Sequence, residues 1–202
     1  YLSGNVREKL EWARRSAELY PEDYSENVRA LEAVQPVDLT ASEISVRLGA
    51  TWLPPEIAEQ FMFELFGTPR YCQWNIHVHF SQYTGEWNVE GKSYDRTNVK
   101  AYNTYGTSRI NGYKIMEETL NLKDVRIFDY IEDENGKKTA VLNKKETAIA
   151  QGKQELIKQA FADWIWEDPE RREKLTRLYN EKFNSTRPRE YDGSHMSFVG
   201  IN

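Results

Sequence analysis

The sequence predicts an α+β fold: a small, mainly antiparallel sheet with packed helices, a helical N-terminal piece and a long broken C-terminal helical arm. Three observations carry this. Residues 73–80, 86–90 and 125–131 alternate apolar and polar side chains with the period of a strand, and 139–142 follows the Asn135-Gly136 turn as a return strand. Most of the rest carries apolar residues at helical spacing. The 202 residues include 39% hydrophobic and 13% aromatic side chains, enough for a packed core. The chain divides into a helical segment (1–40), an α+β core (41–142), a helical arm (143–184) and a connection (185–202).

Each element has a local cause. Val6, Leu10, Ala13 and Ala17 form a stripe that predicts a helix over 5–19, capped by Ser3 or Asn5 and ended by Tyr20-Pro21. A second helix fits 24–34, with Val28 and Leu31 inward, making an αα-hairpin. Asp38 or Thr40 can cap one helical turn. A short extended run over 45–48 breaks at Gly49. Pro55 opens a helix to Phe66, whose C-terminus Gly67 caps. Residues 73–80 read as a strand with Trp74, Ile76, Val78 and Phe80 on one face and Asn75, His77 and His79 on the other. Thr84-Gly85 turns it into a partner strand, 86–90, with Trp87 and Val89 inward. The tyrosine-rich stretch 91–107 is a loop. Ser108 can cap a helix to Leu120, weakened by Gly112. Residues 125–131 and 139–142 form a hairpin around Asn135-Gly136. Asn143 caps a long helix with Leu156, Ile157, Ala160, Phe161, Trp164 and Ile165 inward. Asp168 caps a second helix that starts at Pro169 and carries Leu175, Leu178, Tyr179 and Phe183. From Asn184 the chain reads as an exposed connection.

Charge is uneven. The net charge is −5, but residues 1–90 carry −7 and residues 91–202 carry +2. Phosphate affinity comes from Lys and Arg, so a nucleic-acid contact belongs in the second part. No apolar run is long enough to span a membrane. One cysteine, Cys72, excludes an internal disulfide framework and fits a reducing, cytoplasmic setting. With no initiator Met and no signal peptide, the chain is expected to be a piece of a longer polypeptide.

Several chemistries lack their motifs. The sequence has no GxxxxGK[ST], no GxGxxG and no [DN]PP[YF] tetrapeptide. Cys72 reads as a small core residue at a strand start rather than a nucleophile. His77 and His79 point the same way on a strand and can converge on a metal ion, with Glu86 or Glu90 as a third ligand. That supports an alternative, a metal-dependent nuclease-like domain, although an HxH pair more often marks a solvated strand face. The stronger feature is 91–114, where Lys92, Arg96, Lys100, Arg109 and Lys114 face a single acid, Asp95, and interleave with Tyr94, Tyr102, Tyr105 and Tyr113. Cations contact phosphate and aromatic faces stack bases, so Lys92, Arg96, Lys100, Tyr102, Tyr105 and Arg109 are candidate DNA contacts. The plain alternative is a polar loop whose tyrosines cover the sheet.

Three stretches resemble one family. These are YLSGNVREKL at 1–10, VRLGATWLP at 46–54, and YNEKFN at 179–184 followed by RPREYDGSH at 187–195. They are similar to segments of very large phage and conjugative-element proteins that fuse an adenine-specific DNA methylase to a Swi/Snf-type helicase, related to antirestriction proteins. The resemblance implies that this chain is the spacer between the two engines, a non-catalytic region that engages DNA or couples its neighbours. It implies DNA and the flanking methylase and helicase domains as partners. It also implies no cofactor in this segment, with S-adenosylmethionine and ATP used by the full-length protein. Arg187, Arg189, Tyr191 and His195 are then expected at the helicase entrance, with Arg187 and Arg189 as DNA contacts. A protein–protein scaffold without DNA contact is the further alternative.

Overall fold

The computed structural model describes residues 1–132 and 136–189, and its fold is α+β. In chain order the elements are β1 (Gly4–Asn5), α1 (Val6–Leu19), α2 (Pro21–Glu32), α3 (Pro55–Phe66), α4 (Arg70–Gln73), β2 (His77–Ser81), β3 (Glu86–Glu90), α5 (Gly112–Leu120), β4 (Phe128–Glu132), β5 (Lys138–Leu142), α6 (Lys144–Trp164), α7 (Pro169–Phe183) and β6 (Thr186–Arg187). A 3-10 turn (Ala41–Glu43) and one π-helical turn (Lys100–Thr104) lie between them. The strands form three antiparallel two-stranded ribbons, β1–β6, β2–β3 and β4–β5.

Two compact units result, one from residues 1–44 with 173–202 and one from residues 45–172. These units cut across the sequence division at 40, 142 and 184. The arm beginning at 143 contributes α6 to the second unit, and α7 crosses the boundary between units.

In the first unit α1 and α2 pack through Val6, Leu10, Ala13 and Leu31, with Val28 and Val34 beside them. Asn5 caps α1 by accepting the Glu8 N–H at 3.1 Å. Thr40 and Glu43 form a capping box on the 3-10 turn. Residues 185–187 are not a free connection: Ser185 is buried, and Thr186 and Arg187 pair with Asn5 and Gly4. The chain between them is tied in by side chains. The Asn180 amide accepts the Leu39 N–H and donates to the Leu39 carbonyl, both at 2.9 Å. Asn184 donates to the Val37 carbonyl at 2.7 Å.

The core of the second unit is aromatic. Phe61 of α3 meets Phe161 of α6 edge-on at 5.1 Å, and Phe66 meets Tyr113 of α5 edge-on at 4.8 Å. Ile57, Met62, Ile76, Val78, Trp87, Val89, Ile115, Met116 and Ile157 fill the space between. Gly67 ends α3 in the left-handed conformation (φ 60°), as its sequence position predicts. Asn143 caps α6, and Asp168 caps α7 by accepting the Arg171 N–H at 2.7 Å. The buried Arg171 guanidinium lies 3.5 Å over the Trp164 ring and donates to the Trp164 and Ile165 carbonyls, closing the end of α6.

The structure corrects four expectations. Residues 70–73 are helical, so β2 starts only at His77 and Trp74 points to solvent, 83% exposed, instead of joining Ile76 and Val78. Pro69 precedes that helix in extended conformation and starts it. Asn111, not Ser108, caps α5, and Gly112 is its first residue rather than a flaw within it. Leu156 is exposed, because the buried stripe of α6 runs through Ala150, Gln154, Ile157 and Phe161. Phe183, expected among the helix's apolar residues, is also exposed. The Asn135 turn, Tyr191 and His195 lie outside the described residues.

Replacing Asn180 with Ala removes both bonds to Leu39. Stability is expected to fall by about 1–2 kcal/mol, read as a lower urea midpoint with an unchanged m-value.

Candidate nucleic-acid interface

The loop 91–111 begins from a glycine that nothing else can replace. Gly91 has φ +70°, and a Cβ there would sit 1.9 Å from the Asn75 carbonyl oxygen. This close approach lays the loop against α4. Asp95, 2% exposed, anchors it: its carboxylate accepts the Tyr113 O–H at 2.7 Å and the Asn98 amide at 2.6 Å, and the Cys72 thiol lies 3.8 Å away. The one acid of the basic segment is therefore the buried staple of the loop. Burial pushes the Tyr113 phenol far above its usual range; a bond with Thr68 opposes this, and Asp95 reinforces it. Burial, with Asp95 beside it, also raises the Cys72 thiol. A buried, protonated thiol is a poor nucleophile, and Cys72 is a core residue, in a helix rather than at a strand start.

The sequence-predicted cations divide into two groups. Lys92 is bonded to Glu117 of α5, as is Lys114. Arg109 donates to the Asp129 carboxylate at 2.8 Å and to the Phe128 carbonyl at 2.9 Å, bracing β4. Arg96 and Lys100 remain exposed on the loop. Of the tyrosines, Tyr105 packs on Phe66 at 5.9 Å and Tyr113 is wholly buried. The hydroxyl of Tyr102, half-buried, accepts from Asn111 at 3.4 Å. Arg187 and Arg189 belong to the first unit, beside Tyr1, Leu2 and Ser3.

Beside Tyr94 of the basic segment, exposed aromatic surface includes two residues the sequence did not single out for it. Tyr71 and Trp74 stand three residues apart on α4 and its C-terminal cap, and Tyr94 lies on the loop. The Cys72 thiol lies 3.8 Å from the Tyr94 carbonyl, so these segments adjoin. Arg70 and Arg96 flank the aromatics in sequence. Reading 73–80 as one strand hid Trp74; the signal that separates it is Pro69, a helix-start residue.

His77 and His79 share a face, as predicted, with ring centroids 6.1 Å apart. Each meets its own carboxylate: His77 Nδ1 lies 3.6 Å from Glu59, and His79 Nε2 lies 3.6 Å from Glu90. Glu86 sits opposite Ser81, at the other end of the ribbon. Among the described residues no group of three or more His, Cys, Asp or Glu side chains is placed to hold a metal ion. Among those residues, too, no helix is long and apolar enough to cross a membrane.

These features define an α+β domain that displays aromatic and cationic side chains from a short helix and a stapled loop. Residues 47–185 match a family described as a domain of unknown function, DUF8437, and the chain belongs to that family. No curated protein and no solved structure matches it.

Glu117 is the second anchor of this region and gives it an acid limit. Burial opposes its ionisation, but Lys114, Lys92 and the Val89 N–H outweigh burial and hold the carboxyl below the usual glutamate range. A depressed folded-state pKa stabilises the fold above the unfolded-state value, and that stabilisation is lost as pH falls through the folded-state value. Glu117→Gln is therefore expected to be less stable than wild type at neutral pH. The gap should narrow as pH drops below the ordinary glutamate pKa, measured by urea unfolding across pH.

Proposed function

We propose that this chain is a non-catalytic, nucleic-acid-contacting module of a larger DNA-processing protein. The observation that carries the reading is the exposed set Tyr71, Trp74 and Tyr94, with Arg70 and Arg96 next to these residues in sequence and Lys100 exposed on the same loop as Tyr94. A tryptophan that is 83% exposed contributes little to the core, whereas its open face suits stacking on an unpaired base. The resemblance at 1–10, 46–54 and 179–195 supports the same context, in which flanking methylase and helicase domains use S-adenosylmethionine and ATP in the cytoplasm. In that arrangement Arg187 and Arg189 contact DNA or the helicase lobe. A second reading, coupling to those flanking domains without DNA contact, is favoured by the β4–β5 ribbon, where Phe128, Tyr130, Ile131, Val141 and Leu142 are all exposed.

Titration of a fluorescein-labelled single strand and a duplex at two salt concentrations separates the readings. With about three cations contributed by this surface (Arg70, Arg96 and Lys100), the DNA reading expects log K to fall with log salt at a slope of about −2 for the single strand. Trp74→Ala should weaken single-strand binding by about 1–3 kcal/mol, the worth of one stacked base. Absence of salt-dependent binding, or an unchanged affinity in Trp74→Ala, would leave only the coupling reading.

A further inference from the structure

The second unit also holds a cavity of about 340 Å³, lined by none of the residues of the aromatic surface. One wall is the segment Val46, Arg47 and Leu48. The opposite wall runs from Thr119, near the end of α5, through Leu122 and Lys123 to Asp124. The floor is the face of α6 that carries Gln154, Lys158, Phe161 and Ala162. Its volume falls in the range of small-molecule sites.

Three details show how the cavity is built. Gly49 has φ +85°, and a Cβ there would lie 2.2 Å from the Leu120 carbonyl oxygen, so only glycine lets the first wall close on α5. Gln154 is fully engaged, accepting the Val125 N–H and donating to Thr119 and the Lys123 carbonyl, so it is a fixed structural floor. Leu122 is the one described non-glycine residue with positive φ, 57°. It occupies the left-handed position of a Schellman motif: its N–H donates to Thr119 and the Lys123 N–H donates to Glu118. Glycine is the residue that position favours. A leucine there is strained, and its side chain is half exposed against the cavity.

The lining chemistry selects a ligand class. Leu48, Leu122 and Phe161 offer an apolar slot. Arg47, Lys123 and Lys158 face one carboxylate, Asp124. Lys158 is 2.7 Å from Glu155, while Arg47 and Lys123 form no ion pair among the described residues. The carbonyls of Glu118 and Thr119 accept the Schellman bonds, and any anion held here must be drawn by Arg47 and Lys123.

We infer that this cavity binds a small organic anion, an apolar body of about two fused rings carrying one phosphate or carboxylate, with Arg47 and Lys123 on the anion and Leu122 against the body. The site is independent of the nucleic-acid surface.

The test is titration of the ¹⁵N-labelled chain with four probes: 1-naphthyl phosphate, 1-naphthoate, 1-naphthol and inorganic phosphate. Either organic anion should shift the amides of 46–49 and 119–124 at millimolar concentration or below, and naphthol and inorganic phosphate should bind at least tenfold more weakly. Arg47→Glu and Lys123→Glu, both at exposed positions, should each weaken the anion at least tenfold. Leu122→Gly should raise the thermal midpoint while weakening binding, a pair of opposite effects that general damage to the fold cannot produce. The inference is overturned if neither anion shifts those amides, if naphthol binds as tightly, or if Leu122→Gly raises the midpoint and leaves affinity unchanged.

Discussion

A two-stranded ribbon leaves its outer backbone groups unpaired, and this fold solves that by bonding them to polar side chains on helices. On β3, the Val89 N–H donates to Glu117 at 2.9 Å, and the N–H and carbonyl of Trp87 both bond the Asn121 amide. On β2, the Val78 N–H donates to Glu59 of α3 at 2.8 Å. The extended segment before β4 is served the same way: Ile127 by Thr147, and Val125 by Gln151 and Gln154 of α6. The spacing works because four residues of helix rise about 6 Å and two residues of strand about 6.7 Å. Glu117 and Asn121 are four apart and serve residues two apart; so are and do Thr147 and Gln151. A helix bearing a polar stripe at that interval replaces a missing strand.

That device accounts for several of the buried polar residues. Glu117, Gln154, Thr147 and Asn180 are all buried, and each bonds backbone outside its own helix. Among the described residues no buried side-chain nitrogen or oxygen lacks a partner. A loss at one of these positions exposes an amide that no neighbouring strand can take up. The cations around Glu117 belong to the same account: Lys92 and Lys114 neutralise a carboxylate that must be buried to reach β3, which removes them from the surface the segment 91–114 presents.

Much of this was legible in the sequence, and the failures share a cause. The αα-hairpin, α3 with Pro55 and Gly67, β3 with Trp87 and Val89 inward, and the caps Asn143 and Asp168 arise from short-range signals that tertiary contacts do not override. Trp74 was misplaced because a four-residue helix is too short to show its period, and the alternation downstream extended plausibly through it. Asp95 read as a lone acid among bases because its partners Cys72, Asn98 and Tyr113 are assembled only by the fold. The same holds for the division of the cations: Lys92, Arg96 and Arg109 look alike in sequence, and only the placement of Glu117 and Asp129 distinguishes them. Leu122 carries no sequence signal, since a leucine after a helix predicts nothing about its φ.

The pairing of β1 with β6 has a mechanical consequence. Gly4 and Arg187 face each other across one strand spacing, about 5 Å. Tethers pulling at residues 3 and 188 would act on the same end of that ribbon and peel its bonds one at a time, the geometry of lowest resistance. Tension along the polypeptide would first release Thr186 and Arg187 from β1, then load the Val6–Ser185 bond, and only afterwards reach the helices. The ribbon is thus the weak link through which force on the chain would be felt, leaving the ribbon β2–β3 and its helix-borne caps undisturbed until it parts.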